Sequence, residues 1–192
     1  MTSCLRIFSA LLLIAATLGC TEKQPNNVAI PKPTAYPRVN DPGSEYIAVD
    51  RLPVVLLANA AATVTRPRPQ WLDITYPGLD VTLHVSLTPT TPAEINHVIA
   101  NRSERMALNV ADVSSTGETQ LNSPDFSSVL ITSPETRSTP LQFLAHDGDG
   151  LVISGAAFFS SVTPDASIDS LSPIVSYIER DIIHALSNLT HK

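Results

Sequence analysis

Residues 71–87 read Trp71-Leu72-Asp73-Ile74-Thr75-Tyr76-Pro77-Gly78-Leu79-Asp80-Val81-Thr82-Leu83-His84-Val85-Ser86-Leu87. Leu72, Ile74 and Tyr76 alternate with Asp73 and Thr75. Beyond Pro77-Gly78, Val81, Leu83, Val85 and Leu87 alternate with Thr82, His84 and Ser86. Successive side chains of a strand point to opposite faces, so a period of two is what a strand with one buried and one wet face requires. Two such runs on either side of a Pro-Gly turn predict an antiparallel hairpin.

Toward the C-terminus, Thr91-Pro92-Ala93-Glu94 predicts a helix start, with Thr as cap, Pro at the first helical position and Glu two residues later. Ile95, Val98, Ile99 and Met106 keep helical spacing, and the helix is expected to run to about Asn109. A second strand-rich block follows: Ser128–Thr132, Leu141–Ala145 and Leu151–Phe159. Asp147-Gly148-Asp149-Gly150 joins the last two as a tight turn. From about Pro173 the stripe Ile174, Ile178, Ile182, Ala185 and Leu189 predicts an amphipathic helix, with Ser172 as its cap. Toward the N-terminus, Val54–Val64 suits a buried strand that Arg66-Pro67-Arg68-Pro69 breaks. Short extended pieces are expected at Tyr36–Val39 and Glu45–Asp50. Strands and helices interleave without regular βα units. The expected class is therefore α+β: an antiparallel sheet with two main amphipathic helices packed on it.

Composition narrows the function. With 18 acidic and 12 basic residues the formal charge is −6, which argues against a nucleic-acid binder held by a basic stripe. Charged residues are 16% of the chain and hydrophobic ones 43%, too apolar a mixture for a disordered chain. The two cysteines, Cys4 and Cys20, both lie near the N-terminus, so no internal disulfide, thiolate zinc site or cysteine nucleophile is possible after Cys20. Arg6 precedes an apolar run, Ile7 to Leu18, too short for the ~20 residues of a membrane span but suited to a signal peptide. Thr17-Leu18-Gly19-Cys20 then reads as a bacterial lipobox. Cleavage before Cys20 would leave that residue as the lipidated N-terminus. Residues 1–19 are read as the lipoprotein signal peptide. Residues 20–35, with Pro25, Pro31 and Pro33, are read as the lipidated end and a semi-extended tether, and 36–192 as one α+β domain.

Motifs that carry chemistry are sparse. His84, on the wet face of the hairpin, reads as a solvated strand residue before it reads as a ligand or base. Glu94-x-x-His97 places a carboxylate and an imidazole on one helical turn, but a di-iron site needs two such motifs. Asp147-Gly148-Asp149-Gly150 resembles the start of a calcium loop, yet the twelfth position is Phe158 where that loop needs glutamate. His184 and His191 flank the end of the last helix, where positive charge suits the macrodipole. No Gly-x-Ser-x-Gly, His-Glu-x-x-His or phosphate-binding glycine loop occurs. No catalytic residue, metal ligand or cofactor is assigned. Trp71 and Tyr76 are the candidate interaction residues, because aromatics dominate binding hot spots; Trp71 also suits an anchor of the sheet.

Several segments in order resemble the gliding motility lipoprotein GldD family of Bacteroidetes. They are Pro31-Lys32-Pro33-Thr34-Ala35-Tyr36-Pro37-Arg38, shortly after the lipobox cysteine; Trp71 to Pro77, followed by Leu83-His84-Val85-Ser86; and a C-terminal block. That block comprises Gly155-Ala156-Ala157-Phe158-Phe159, Asp169-Ser170-Leu171-Ser172-Pro173-Ile174-Val175, Tyr177-Ile178 and Asp181-Ile182. The resemblance implies a periplasmic lipoprotein, non-enzymatic, accessory to gliding and linked to the type IX secretion apparatus. Its implied partners are the membrane, through the lipid on Cys20, and envelope or gliding-machinery proteins. No nucleic acid and no small-molecule substrate are expected. The alternative expectation is a lipid-tethered binding or chaperone module of the envelope unrelated to motility.

Overall fold

The structure, a computed structural model, describes residues 39–110, 115–136, 139–160 and 168–192, except the side chains of 168–170. Cys20, the tether and most of the extended piece expected at Tyr36–Val39 lie outside the described residues. Eleven strands and two helices are described: β1 (Tyr46–Ala48), β2 (Val54–Val55), β3 (Leu57–Asn59), β4 (Thr63–Arg68), β5 (Trp71–Tyr76), β6 (Val81–Pro89), α1 (Ile95–Asn109), β7 (Gly117–Asn122), β8 (Ser127–Thr132), β9 (Leu141–His146), β10 (Leu151–Phe159), α2 (Ile168–Ser187) and β11 (Thr190–His191). Seven strands form one antiparallel sheet in the order β4-β5-β6-β10-β9-β8-β7. It consists of two meanders, β4–β6 and β7–β10, welded by continuous pairing of β6 with β10 from Val81↔Phe159 to Pro89↔Leu151. The class is α+β, as the sequence predicts.

Each face has its own helix. Leu72, Ile74, Tyr76, Val81, Leu83, Val85 and Leu87 of the hairpin are buried with Val175, Ile178, Ile182 and Leu186 of α2. On the other face Ile95 and Met106 of α1 pack with Leu144 and Val152. The sequence marks how far this second cover reaches. Leu141 to Ala145 are all buried, an unbroken run typical of a strand covered on both sides. Strand β10 begins the same way at Leu151-Val152-Ile153, is half-buried at Ser154-Gly155-Ala156 and alternates only over Ala157–Phe159. That change marks where α1 stops. Over β5, β6 and the second half of β10 no described element covers this face.

Three elements depart from expectation. Val54–Val64 is not one strand but β2, β3 and the start of β4, and Arg66-Pro67-Arg68 continues β4. Because β4 is an edge strand, Pro67 deprives it of no ladder partner on its free side, and the register shifts between Thr65 and Arg68. Helix α1 begins at Ile95 with Glu94 as its cap residue, and no side-chain cap bond forms. Thr91 instead closes a preceding turn, its carbonyl accepting from the N–H groups of Glu94 and Ile95. Helix α2 begins at Ile168, so Ser172 lies within it and Pro173 is an interior proline rather than its first residue. Proline is commonest at a helix start because its missing N–H has no partner there anyway, which is why the sequence suggests a later boundary. Two strands carry no clear sequence signal: polar β7, and β11, which is too short to show alternation.

A carboxylate ties the N-terminal hairpin to the sheet and α2. Asp181 is 4% exposed and accepts from four donors. The Tyr46 hydroxyl donates at 2.8 Å, Asn59 Nδ2 at 2.9 Å, the Tyr76 hydroxyl at 3.1 Å and Arg180 Nε at 3.2 Å. Arg180 also forks onto both oxygens of Asp41 at 3.1 Å and donates to the Gly43 carbonyl at 2.6 Å. The guanidinium beside it and the Gly43 N–H hold the Asp41 carboxyl below the usual carboxylate range. Burial, then the Asp181 charge, pushes the Tyr76 phenol well above its ordinary value, and Tyr46 is raised for the same reasons.

Removing the acceptor strands several buried donors. Asp181→Ala is expected to cost about 3–5 kcal/mol, read as a lower urea midpoint at unchanged slope. Tyr76→Phe is expected to cost about 1 kcal/mol. The unfolded chain releases the Tyr76 proton near pH ~10 and the folded chain does not, so this contribution is intact below that pH and is lost above it. Phenolate absorbance should therefore show Tyr76 ionising only as the protein unfolds, and Tyr76→Phe should flatten the alkaline limb. A second expectation concerns Gly155, where a Cβ would stand 2.5 Å from Phe143 Cε1 and 2.9 Å from the His84 carbonyl oxygen. Gly155→Ala should cost about 1–3 kcal/mol through overpacking; an unchanged melting temperature would contradict that close approach.

Candidate functional site

The uncovered half-face is a grid of three rows across three strands. Register places Trp71, Ser86 and Ser154 in one row, Asp73, His84 and Ala156 in the next, and Thr75, Thr82 and Phe158 in the third. Neighbours within rows interact: Nδ1 of His84 lies 2.6 Å from Asp73 Oδ1, the Ser86 and Ser154 hydroxyls are 3.0 Å apart, and those of Thr75 and Thr82 are 3.3 Å apart. Trp71 is 48% exposed and Phe158 45%, two of the four large apolar side chains exposed among the described residues. Arg68 lies over the Trp71 ring at 5.1 Å, and His84 meets the Phe158 ring edge-on at 5.1 Å. Between this grid and α1 runs a trough of about 240 Å³, lined by Trp71, His84, Ser86, Arg102, Arg105 and Gln142 among others.

Chemically, the Asp73–His84 pair is a carboxylate orienting an imidazole. Ser86, two residues along the same strand, is engaged with the hydroxyl and carbonyl of Ser154 rather than with His84. What the face offers is apolar surface, hydroxyls and cationic donors, the components of a recognition surface.

The two candidate interaction residues separate. Trp71 stands on the exposed grid. Tyr76 belongs to the same strand but has the opposite orientation, 3% exposed with its hydroxyl on Asp181, so it serves the core network. His97 is exposed on α1 and Glu94 just before it, where Glu94 Oε2 accepts from Thr91 Oγ1 at 3.2 Å. Asp147-Gly148-Asp149-Gly150 is the β9–β10 turn. Oδ1 of Asp147 accepts from the N–H groups of Asp149, Gly150 and Leu151 at 2.9–3.0 Å. Partial burial pushes this carboxyl up, but the three N–H groups outweigh it and the net effect is a lowered pKa. His191 Nε2 sits 3.4 Å from Asp147 Oδ2, and the His184 ring stacks on Tyr46 at 3.8 Å. Among the described residues no cluster of three or more His, Cys, Asp or Glu side chains could hold a metal ion. Among them, too, no helix is long and apolar enough to cross a membrane.

Sequence reasoning does not find Arg102, Arg105 and Gln142. The two arginines share one side of α1 at a spacing of three, a signal that is visible, but only the register of the sheet reveals what they face. Gln142 is the one polar residue in the buried Leu141–Ala145 run, and that interruption is its signal.

A search of curated proteins finds no match to the chain. The family model described as gliding motility lipoprotein GldD matches residues 26–191, which covers all but the N-terminal segment and the last residue. The ordered segments and this match agree, and the chain belongs to the gliding motility lipoprotein GldD family.

Proposed function

We propose that the chain is an accessory component of the gliding and type IX secretion machinery, anchored through a lipid on Cys20 and facing the periplasm, and that it acts without catalysis by presenting its half-covered sheet to a partner protein. As a member of a gliding motility lipoprotein family it is a membrane-anchored envelope protein. In this reading residues 1–19 are removed on export, residues 20–35 hold the domain off the membrane, and 36–192 is the working domain. The observation that carries the proposal is Trp71. A sheet face that continues past its covering helix, with a half-exposed tryptophan at one corner and a half-exposed phenylalanine at another, has apolar surface available to a partner.

A deletion strain is expected to lose surface spreading and type IX cargo export; normal spreading and normal export together would end this reading. Restoring the gene as Trp71→Ala should rescue poorly, while the purified variant keeps its unfolding free energy within about 1 kcal/mol of the parent. His97→Ala, at an exposed position outside the trough, should rescue in full. Cys20→Ser should leave the membrane fraction, and its retention there would remove the anchor from the proposal.

A further inference from the structure

We propose that the trough beside α1 binds an extended segment of a partner protein in which acidic and apolar side chains alternate. This assignment rests on the reading of the open face as a partner surface, and names what that surface receives.

The shape comes from two contacts. Arg102 Nη2 donates to Thr88 Oγ1 at 3.3 Å, and Asn109 Nδ2 donates to Oε1 of Gln142 at 2.8 Å. Gln142 pairs in register with Ala156, which pairs with His84. Helix α1 therefore crosses the sheet obliquely, from β6 at Thr88 to β9 at Gln142, and leaves the Trp71–His84 side of the face open beside it. The floor of the trough includes the small residues Ser86, Ser154, Gly155 and Ala156, with Arg102 and Arg105 on the helix side and Trp71 on the other. An extended chain laid in it sends successive side chains to opposite walls. One wall is cationic and the other aromatic, so the matching segment alternates acidic with apolar.

Charge and hydrogen bonding support the acidic half. The chain carries more acids than bases, yet the described lining holds two arginines and no aspartate or glutamate. Neither arginine has a carboxylate partner among the described residues; Arg102 contacts only the neutral Thr88. Gln142 is 2% exposed, and its Nε2 is buried with no hydrogen-bond partner. Buried donors are ordinarily satisfied, and this one, on a residue that lines the trough, has no acceptor among the described residues. A carboxylate meets a guanidinium fork with two oxygens and can supply that acceptor. An acidic saccharide or a lipid phosphate would answer the arginines but offers no alternating apolar side chain for the Trp71 wall.

Trp71 is the only tryptophan in the chain, so its emission reports on this trough. Full-length protein in detergent micelles is titrated with a short peptide alternating glutamate and leucine, with its glutamine–leucine counterpart, with oligogalacturonate, and with anionic phospholipid vesicles. The glutamate–leucine peptide is expected to shift the emission saturably, and the glutamine–leucine peptide to bind about tenfold more weakly or not at all. Arg102→Gln/Arg105→Gln should weaken the acidic peptide by about tenfold or more and remove its salt dependence, whereas Arg102→Lys/Arg105→Lys should retain most of the binding. No saturable shift, equal affinity for both peptides, or a response confined to oligogalacturonate or vesicles overturns the proposal. A deletion strain that glides and exports normally would defeat the motility reading and leave this titration unaffected; a flat titration would defeat the trough assignment alone.

Discussion

Everything in this domain depends on one seam, the unbroken pairing of β6 with β10. Neither meander can bury much by itself: β4–β6 has one apolar face, and β7–β10 has an edge strand that is almost wholly exposed. Joined, they make a seven-stranded surface broad enough for α2 on one side. The seam also decides what remains open. Helix α1 leaves the end of β6 and must return the chain to β7 at the far edge, so it lies over the β8–β10 half and cannot cover the half it came from. The open face is thus a consequence of connectivity, and Trp71, His84 and Phe158 are the residues that connectivity leaves uncovered.

The Asp181 network solves a different problem. Strands β1 and β3 form a separate small ribbon whose ladder cannot fix its position on the main sheet. A charge buried among two phenols, an amide and a guanidinium does so, because such a group is tolerated only when every donor is in place. Position is therefore specified by chemistry where backbone pairing does not supply it.

Legibility followed periodicity. The 71–87 hairpin, the strands of the second block and the apolar stripes of both helices were readable because period two and period 3.6 leave repeated marks in sequence. Val54–Val64 reads as one strand because strands of two or three residues, such as β2 and β3, show no period. Pro173 reads as a helix start because that is the commonest helical position for proline, whereas here it lies inside α2. Trp71 was legible as a candidate, but its exposure was not, since an aromatic at a strand start suits core and surface alike. Tyr76 has the opposite parity along the same strand, which puts the two on opposite faces. Arg102, Arg105 and Gln142 are brought to one trough by the register of strands distant in sequence, information that no local pattern contains.

The two margins of the sheet differ. Strand β4 has Pro67, two arginines and a register shift, all obstacles to a further strand; β7 pairs with β8 in perfect step, and its exposed side chains are polar. A sheet with one barred margin cannot grow as a fibre, which needs two adhesive ends. Any edge-to-edge association has to use β7 on both copies, which makes it self-complementary and closes it at two. For a lipoprotein confined to a membrane plane, where copies meet at high local density, a single barred edge places a ceiling on aggregation.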